Sequence, residues 1–565
     1  MKKIIKSRWA IPLLILFTVV LNYAVSYFRV RVDLTAEKRY TLSRATSKML
    51  MNLEEPVDIT VFLKGEFPAG FKKLANSTND LLRNFKEYGK SNFRYRFVNP
   101  VEDLDDSARL ALIDTLSMFG FHPTNVKAQA RRGEGEEQRL VYPGALIRYK
   151  DRIAVVDLLQ GLSSIDGINA LNSAEALLEY KFAGTIEKIA RDQVPAIAYA
   201  TGNGEPYDYS VDGIWKALGN DCFVDTLNIQ ELPWIPDDVA VLLIVKPTKA
   251  FTDDDKLKID QFVMRGGRVM WFIDQLNAEY DSLSRSQADF IAFDRGLNLQ
   301  DLLFRYGARI NPDLVQDLQS DKIPLVVGST GGKPQMQLIP FPYFVLLNGA
   351  SNHAISRNLD KILSYFPSSV DTVAEAGIKK TVVLHTSVNA RRLETPAMVS
   401  LNSVKNEEDL NTFNKANIPV GVLLEGKFRS LYANRISKAM VDSLNRIKRP
   451  FMAEGEQESA MLLVADGDLV LNRVSRQEGP LPMGMNPFTQ YPFANKEFFL
   501  NAIEYLTSTS GILETRSKDF VLRLLDAKKV EEEKGTWQFF TIVLPALLIS
   551  LGILLYQWLR KRKYN

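Results

Sequence analysis

Four short stretches of this chain carry residue types that could do chemistry. TGNGEP (201–206) follows an apolar run; its glycines would let the backbone approach an anion, and Glu205 could orient a hydroxyl or a metal. MRGGRVMWFID (264–274) puts Asp274 where another apolar run stops. Open α/β sheets hold ligands and catalytic groups at that point, just beyond the carboxyl ends of the strands. GSTGGKP (328–334) imitates a phosphate loop, and VADGDL (464–469) sets Asp466 and Asp468 at a third strand end.

Spacing rules out most of the chemistry these stretches suggest. A dinucleotide fingerprint needs three glycines leading into a helix, whereas TGNGEP has two and ends in Pro206. In GSTGGKP, Gly328 stands one residue too close to Gly332-Lys333, and Pro334 occupies the place of the Mg²⁺-binding Ser or Thr, so ATP hydrolysis must come from another chain. Counted from Asp466, calcium-loop position 12 is Gln477 rather than glutamate, and the pair Asp466 and Asp468 reads as a turn with solvated carboxylates. A nucleophilic cysteine would sit on the sharp turn after a strand, beside a histidine; Asp274-Gln275 stands there instead, and Cys222 begins a different strand with His122, His353 and His385 scattered. No catalytic residue, metal site or cofactor is expected. Gly202, Gly204, Glu205 and Asp274 remain as candidate ligand-binding residues, with a tight structural turn as the competing reading of the first three.

Charge places this chemistry in a compartment. The 565 residues carry 70 basic and 67 acidic side chains. Eight of the basic ones cluster at the ends, as Lys2, Lys3, Lys6, Arg8 and Arg560, Lys561, Arg562, Lys563, which leaves the body slightly acidic and speaks against nucleic acid as a partner. A lone cysteine forms no internal disulfide. Residues 10–28 and 539–559 are uncharged for 19 and 21 positions, long enough to cross the hydrocarbon layer as helices, with Trp9, Tyr27, Trp537 and Trp558 at the interfaces. The basic clusters lie on the chain-terminal sides. The positive-inside rule then predicts a two-pass inner-membrane protein with both termini cytoplasmic and the main body periplasmic. A cleaved signal peptide ending near Ala24-Val25-Ser26 is the alternative for the first run.

Between the spans the patterning is α/β. A helix start falls at Ser43, followed by a strand (56–63), a helix (71–89), a strand (92–100), a second helix, and a hairpin across Lys150-Asp151. That βαβαββ order is thioredoxin-like, but KGEFPAG stands where Cys-x-x-Cys would be, so no redox chemistry is expected. RRGEGEEQR (131–139) reads as a solvated loop. A second module begins with AIAYAT and runs through FVDTLNI, VAVLLIVKP, a helix capped by Thr252 and Asp255, and RVMWFID; its continuous apolar runs suit a parallel sheet covered on both faces. Beyond it lie the helical pattern RGLNLQDLLFRYG, further strands at PLVVGST, KTVVLHTS, IPVGVLLEG and AMLLVADGDLV, an ordered loop or lid at 478–492, and the helix NKEFFLNAIEYLTS.

The membrane exit FRVRVDLTAEKRYTLS, the run VLLIVKPTKAFTDDDKLKIDQFVMRGGRVMWFID, VGVLLEGKFRS, VADGDLVLNR with NKEFFLNAIEYL, and RSKDFVLRLLDAKKV together resemble the gliding-motility-associated ABC transporter auxiliary GldG family. The resemblance implies a non-catalytic subunit whose partners are a cytoplasmic ATPase, a multispanning permease and membrane lipid, with homo- or hetero-oligomeric assembly left open. It also implies that the middle module is similar to class I glutamine amidotransferase-like, flavodoxin-like folds. The expected division is a basic tail (1–8), a first span (9–28), a thioredoxin-like module (29–192), an amidotransferase-like module (193–345), a mixed α/β continuation and stalk (346–536), a second span (537–559) and a second basic tail (560–565). The alternatives are a membrane-tethered periplasmic solute-binding protein, or a hydrolase pairing Glu205 with a carboxylate from another strand end.

Overall fold

Ser43 takes the capping position its sequence context assigns: its hydroxyl accepts from the Thr46 amide at 3.0 Å and opens helix α1 (Arg44–Met51). The structure, a computed structural model, describes residues 41–65, 69–99, 105–118, 124–129, 136–159, 174–191, 193–219, 221–280, 289–330, 333–350, 353–357, 359–401, 407–508, 511–517 and 527–564, with a few isolated positions besides. Its contacts divide the chain into two compact units, Met1–Lys518 and Asp519–Asn565.

The first strands of the larger unit form a four-stranded sheet. β1 (Val57–Val61) and β2 (Phe93–Phe97) run parallel, joined through α2 (Ala69–Gly89). After α3 (Asp106–Met118), β3 (Gly144–Tyr149) and β4 (Arg152–Asp157) form the expected hairpin, and the order is β2-β1-β3-β4 with β3 antiparallel to β1. One expectation changes here. Glu136–Val141 is a strand paired with Thr124–Gln129, so the carboxyl end of the stretch read as a loop is a hairpin arm, held by a ladder of backbone bonds.

Helix α4 (Leu178–Ala190) closes this module by burying Leu178, Phe182, Ala183 and Ile186 in its core, and two distant segments meet on it. At one, the Ser43 amide donates to Glu179 at 2.8 Å. At the other, Ile512 is fully buried in the same core and Arg516 lies over the Tyr180 ring.

The rest of the larger unit is built on a ten-stranded sheet. Its parallel half is β6 (Phe223–Asn228), β5 (Ala196–Thr201), β7 (Val239–Val245), β8 (Arg268–Phe272) and β14 (Ser459–Val464), in that spatial order. Antiparallel strands β13 (Pro419–Gly426), β12 (Ile378–His385), β10 (Lys333–Gly349) and β9 (Ser320–Thr330) extend it, with β11 (Ile362–Tyr365) on β10. Alternate residues of β7 enter opposite cores, Leu242 and Ile244 on one face, Leu243 and Val245 on the other. Helices α6 (Asp253–Met264) and α7 (Gln300–Tyr306) cover the first face; α5 (Asp212–Leu218) and α8 (Asn495–Thr507) cover the second. This two-sided cover explains why these strands read as unbroken apolar runs.

α6 begins with the predicted capping box, Thr252 accepting from the Asp255 amide at 3.1 Å while Asp255 accepts from the Thr252 amide at 2.9 Å. α7 is shorter than the pattern suggested, because Gly296 and Asn298 adopt positive φ and keep the residues before it out of a helix. The expected boundary at 345/346 falls inside β10, so residues on both sides of it contribute strands to one sheet.

In the smaller unit, Ala527–Gln538, a wider π turn at Phe539–Val543 and Leu544–Tyr564 make one long helix. Pro545 accounts for the wider turn, since its ring would collide with a carbonyl one regular turn back. Glu533–Arg562 is long and apolar enough to cross a membrane, and none of its apolar surface is buried by the described chain. Trp537 and Trp558 are exposed near its two ends, with Arg562 over the Trp558 ring, and Arg560 and Lys561 lie in its last turns beside Lys563. The first span lies outside the described residues except for Leu16, Phe17, Val19 and Val20, which are helical; Trp9, Tyr27, Lys2, Lys3, Lys6 and Arg8 also lie outside them.

Candidate functional site

The parallel strands deliver their next residues to one edge of the sheet. After β5 comes TGNGEP, with Gly202 at φ +117° and Gly204 at φ +81°. A side chain on Gly204 would strike the Thr248 hydroxyl, which donates to the Gly204 carbonyl at 3.0 Å. The glycines therefore serve close packing of this turn on the loop after β7. Glu205 is buried and turned inward, one carboxylate oxygen accepting from the Asn203 amide at 2.8 Å. Burial pushes its pKa up to about 7, against the backbone amides that pull it down.

Lys246, the residue after β7, sits at φ 47°, uncommon outside glycine, and its side chain enters a cluster of acids. Its ammonium lies 2.7 Å from Asp468, 3.5 Å from Asp274 and 3.5 Å from Glu279. Arg295 adds contacts of 3.5 Å to Asp274 and 3.1 Å to Glu279. Gly467 makes the approach possible, because a Cβ there would meet the Lys246 side chain at 2.8 Å. Asp466 is fully buried behind the pair and accepts from the Ser364 hydroxyl at 2.5 Å, the Tyr365 amide at 2.8 Å and the Asp468 amide at 2.7 Å.

Electrostatics assigns the charges. Burial alone would lower the Lys246 pKa, but Asp468, Asp274 and Glu279 outweigh it and hold the ammonium charged. Asp468 is held below the usual carboxylate range in spite of burial, chiefly by Lys246 and then Arg473. Burial raises Asp274 against the pull of Lys246, and Asp466 goes well above the carboxylate range through burial next to Asp274 and Asp468. Asp274, Asp466 and Asp468 each offer an oxygen within 4.8 Å of the others, a spacing that could hold a divalent cation. Here the Lys246 ammonium supplies that positive charge.

Beside the cluster opens a cavity of about 520 Å³, walled by Gly204, Asp208, Lys246, Tyr365, Arg473 and Phe488 among others. Phe488 comes from the predicted loop at 478–492, which is ordered: Asn486 is buried and bonds to Asp321, and the Tyr491 hydroxyl donates to Asp360 at 2.7 Å. A second cavity of about 330 Å³, lined by Trp234, Leu257, Met440 and Leu444 among others, shares no lining residue with the first.

The expected ligand residues are only partly brought together. Gly204 borders the cavity and Asp274 lies behind Lys246, whereas Glu205 bonds within its own turn and forms no pair with Asp274. Asp466 and Asp468 correct the expectation of solvated carboxylates: they are enclosed because β11 and Lys246 cover the end of β14. Lys246, Glu279, Arg295, Tyr365 and Arg473 were missed. A usable signal existed for Lys246, which, like Asp274 and Asp466, is among the first polar residues after a buried parallel strand. GSTGGKP is the tip of the β9–β10 hairpin, Thr330 opposite Lys333, and leads into no helix. Cys222 is half-buried, and burial pushes its thiol up to about 11, away from nucleophilic character. His353 packs on Tyr505 and His385 bonds to the Thr386 carbonyl; His122 lies outside the described residues.

One comparison with known proteins assigns a family. An uncharacterized protein of Borreliella burgdorferi is 21% identical over 450 residues, spanning 75% of this chain and 78% of its own. A solved structure, the mmIFT52 N-terminal domain, aligns with 55% of this chain and 97% of its own length at 13% identity and a TM-score of 0.30, too loose to bear on the fold. Residues 36–148 match a domain of unknown function, DUF7088. Residues 194–502, more than half of the chain and nearly all of the ten-stranded body, match the family described as an ABC-type uncharacterized transport system, and the chain belongs to that family of ABC transport auxiliary proteins.

Proposed function

We propose that this protein is a non-catalytic, two-pass auxiliary subunit of an ABC transport complex, of the kind associated with gliding motility, with its body on the periplasmic side of a bacterial inner membrane. The observation that carries the non-catalytic reading is the strand-end cluster. Where an α/β sheet would present reacting groups, the Lys246 ammonium is held by Asp468, Asp274 and Glu279, and each oxygen of Asp466 has a donor. An acid or base already committed to such bonds is poorly placed to move a proton.

The coupling route is α4. The segments that lead toward both predicted spans, ending at Ser43 and starting after Ser517, are fixed on this one helix, so movement of permease helices would reach the body through it. The thioredoxin-like and amidotransferase-like descriptions of the two modules belong to the same proposal, supported by the β2-β1-β3-β4 order and by the parallel half-sheet. So does the separation of a 29–192 module from the body. Mild-detergent purification of the tagged full chain from its own membranes tests the reading: an ATPase and a multispanning permease should copurify in fixed ratio. Recovery of the chain alone, with no loss of its fold, would refute it.

A further inference from the structure

The β9–β10 hairpin leaves an apolar face uncovered. Val326 stands opposite Met336 and Pro324 opposite Leu338, and directly opposed residues of an antiparallel ladder share a face. Val326, Met336 and Leu338 are 61%, 58% and 42% exposed. Residues of the alternate set turn the other way: Ile323 is fully buried in one core cluster with Phe341, and Leu325 packs against it. One face of the hairpin's base is therefore held by the body, and the other looks outward.

Two features narrow what covers that face. Among the described residues neither strand has another ladder partner over 323–340, and such free edges invite an added strand. Pro324 and Pro340 have no N–H to offer one, which is how natural proteins blunt an edge, so the face and not the edge is left to be met. Charge is the second feature. In a chain with 67 acidic side chains among 565 residues, none occurs between Asp321 and Asp360, and Asp321 is itself buried against Asn486. The charged residues of the hairpin beyond Asp321 are Lys322 and Lys333. Lys322 is exposed opposite Pro340, at one end of the apolar face. An uncovered apolar face bordered by cations and free of carboxylates complements an anionic lipid surface, and this chain carries a helix long enough to cross a bilayer.

We propose that the outward face of this hairpin lies on an anionic lipid surface, with Val326, Met336 and Leu338 entering the boundary between headgroups and acyl chains and Lys322 meeting the headgroup phosphates. It rests on the reading of the chain as membrane-anchored, but not on the transport complex. The test uses the full chain in a Cys222→Ser background with one added cysteine, Val326→Cys, Met336→Cys, Gln337→Cys or Leu551→Cys, carrying an NBD fluorophore. Each is reconstituted in vesicles of phosphatidylcholine and nitroxide-bearing lipid, with and without phosphatidylglycerol. With phosphatidylglycerol present, labels at 326 and 336 should be quenched by the nitroxide lipid and shielded from aqueous dithionite. The label at Gln337, exposed and paired with Leu325 on the opposite face, should stay open to dithionite. Adding Lys322→Gln should lower the ratio of lipid-seated to free hairpin about fivefold, the effect of one basic residue at an anionic surface. Leu551, exposed on the long helix, reports the anchored reading alone. Quenching there with none at 326 and 336 would overturn the proposal and spare that reading, and no quenching at any position would overturn both. Shielding from dithionite without nitroxide quenching would give the face to a protein partner and overturn the proposal, as would equal quenching in the absence of phosphatidylglycerol.

Discussion

Lys246 and Glu205 illustrate two ways in which a buried charge at a strand end can be handled. Lys246 is stabilised by partners, so Lys246→Met would leave Asp468, Asp274 and Glu279 together with only Arg295 and Arg473 to offset them. Breaking a buried pair by removing one member costs about 3–5 kcal/mol, whereas a partly exposed group such as Glu279 contributes under about 1 kcal/mol. Urea unfolding followed by tryptophan fluorescence should therefore show a large loss for Lys246→Met at pH 7, shrinking in acid as the carboxylates take up protons, and a small loss for Glu279→Gln. Glu205 has no counter-charge of that kind, and its pKa rises from 4.5 to about 7. Below about 4.5 folded and unfolded chains both carry this proton; between there and about 7 only the folded chain keeps it, so stability falls as pH rises through the window. The loss is bounded at about 3 kcal/mol, and Glu205→Gln should flatten the slope between pH 5 and pH 8 in the same measurement. Sequence marked Glu205 and Asp274 as unusual, but Lys246 and Asp468 lie 222 positions apart, and no local spacing signals that they touch at 2.7 Å.

At the scale of elements, legibility followed the physics of burial. β5, β7, β8 and β14 were readable because a strand covered on both faces must be apolar throughout, and α6 because its capping box is a local contact. The β9–β10 hairpin was only partly readable. β10 runs for 17 residues and includes Pro334, Pro340 and Pro342, which ordinarily argue against a strand. Pairing on both sides, to β9 and then to β11 and β12, overrides that local signal. The docking of Ile512 into the first module's core was also invisible, since the segment follows α8 in sequence but packs on α4. Because Ile512 is fully buried, Ile512→Ala should cost about 2–4 kcal/mol, and hydrogen exchange should localise the loosening to α4 and the four-stranded sheet while β7 and β8 stay protected.

For the whole molecule, the proposed topology assigns the large α/β unit to water and the long apolar helix of the smaller unit to lipid. Most of the helix's leucines and isoleucines are exposed, surface of a kind that soluble proteins rarely leave uncovered. Charge at the chain ends gives the direction: lysines and arginines stay on the cytoplasmic side, so the body should face the other way. The direct test is cysteine labelling in intact spheroplasts. In a Cys222→Ser background, Met118→Cys, whose native side chain is 87% exposed, should react with a membrane-impermeant maleimide before lysis, and Lys563→Cys only after it. Reaction of the Met118 position only after lysis would place the body in the cytoplasm and contradict the account.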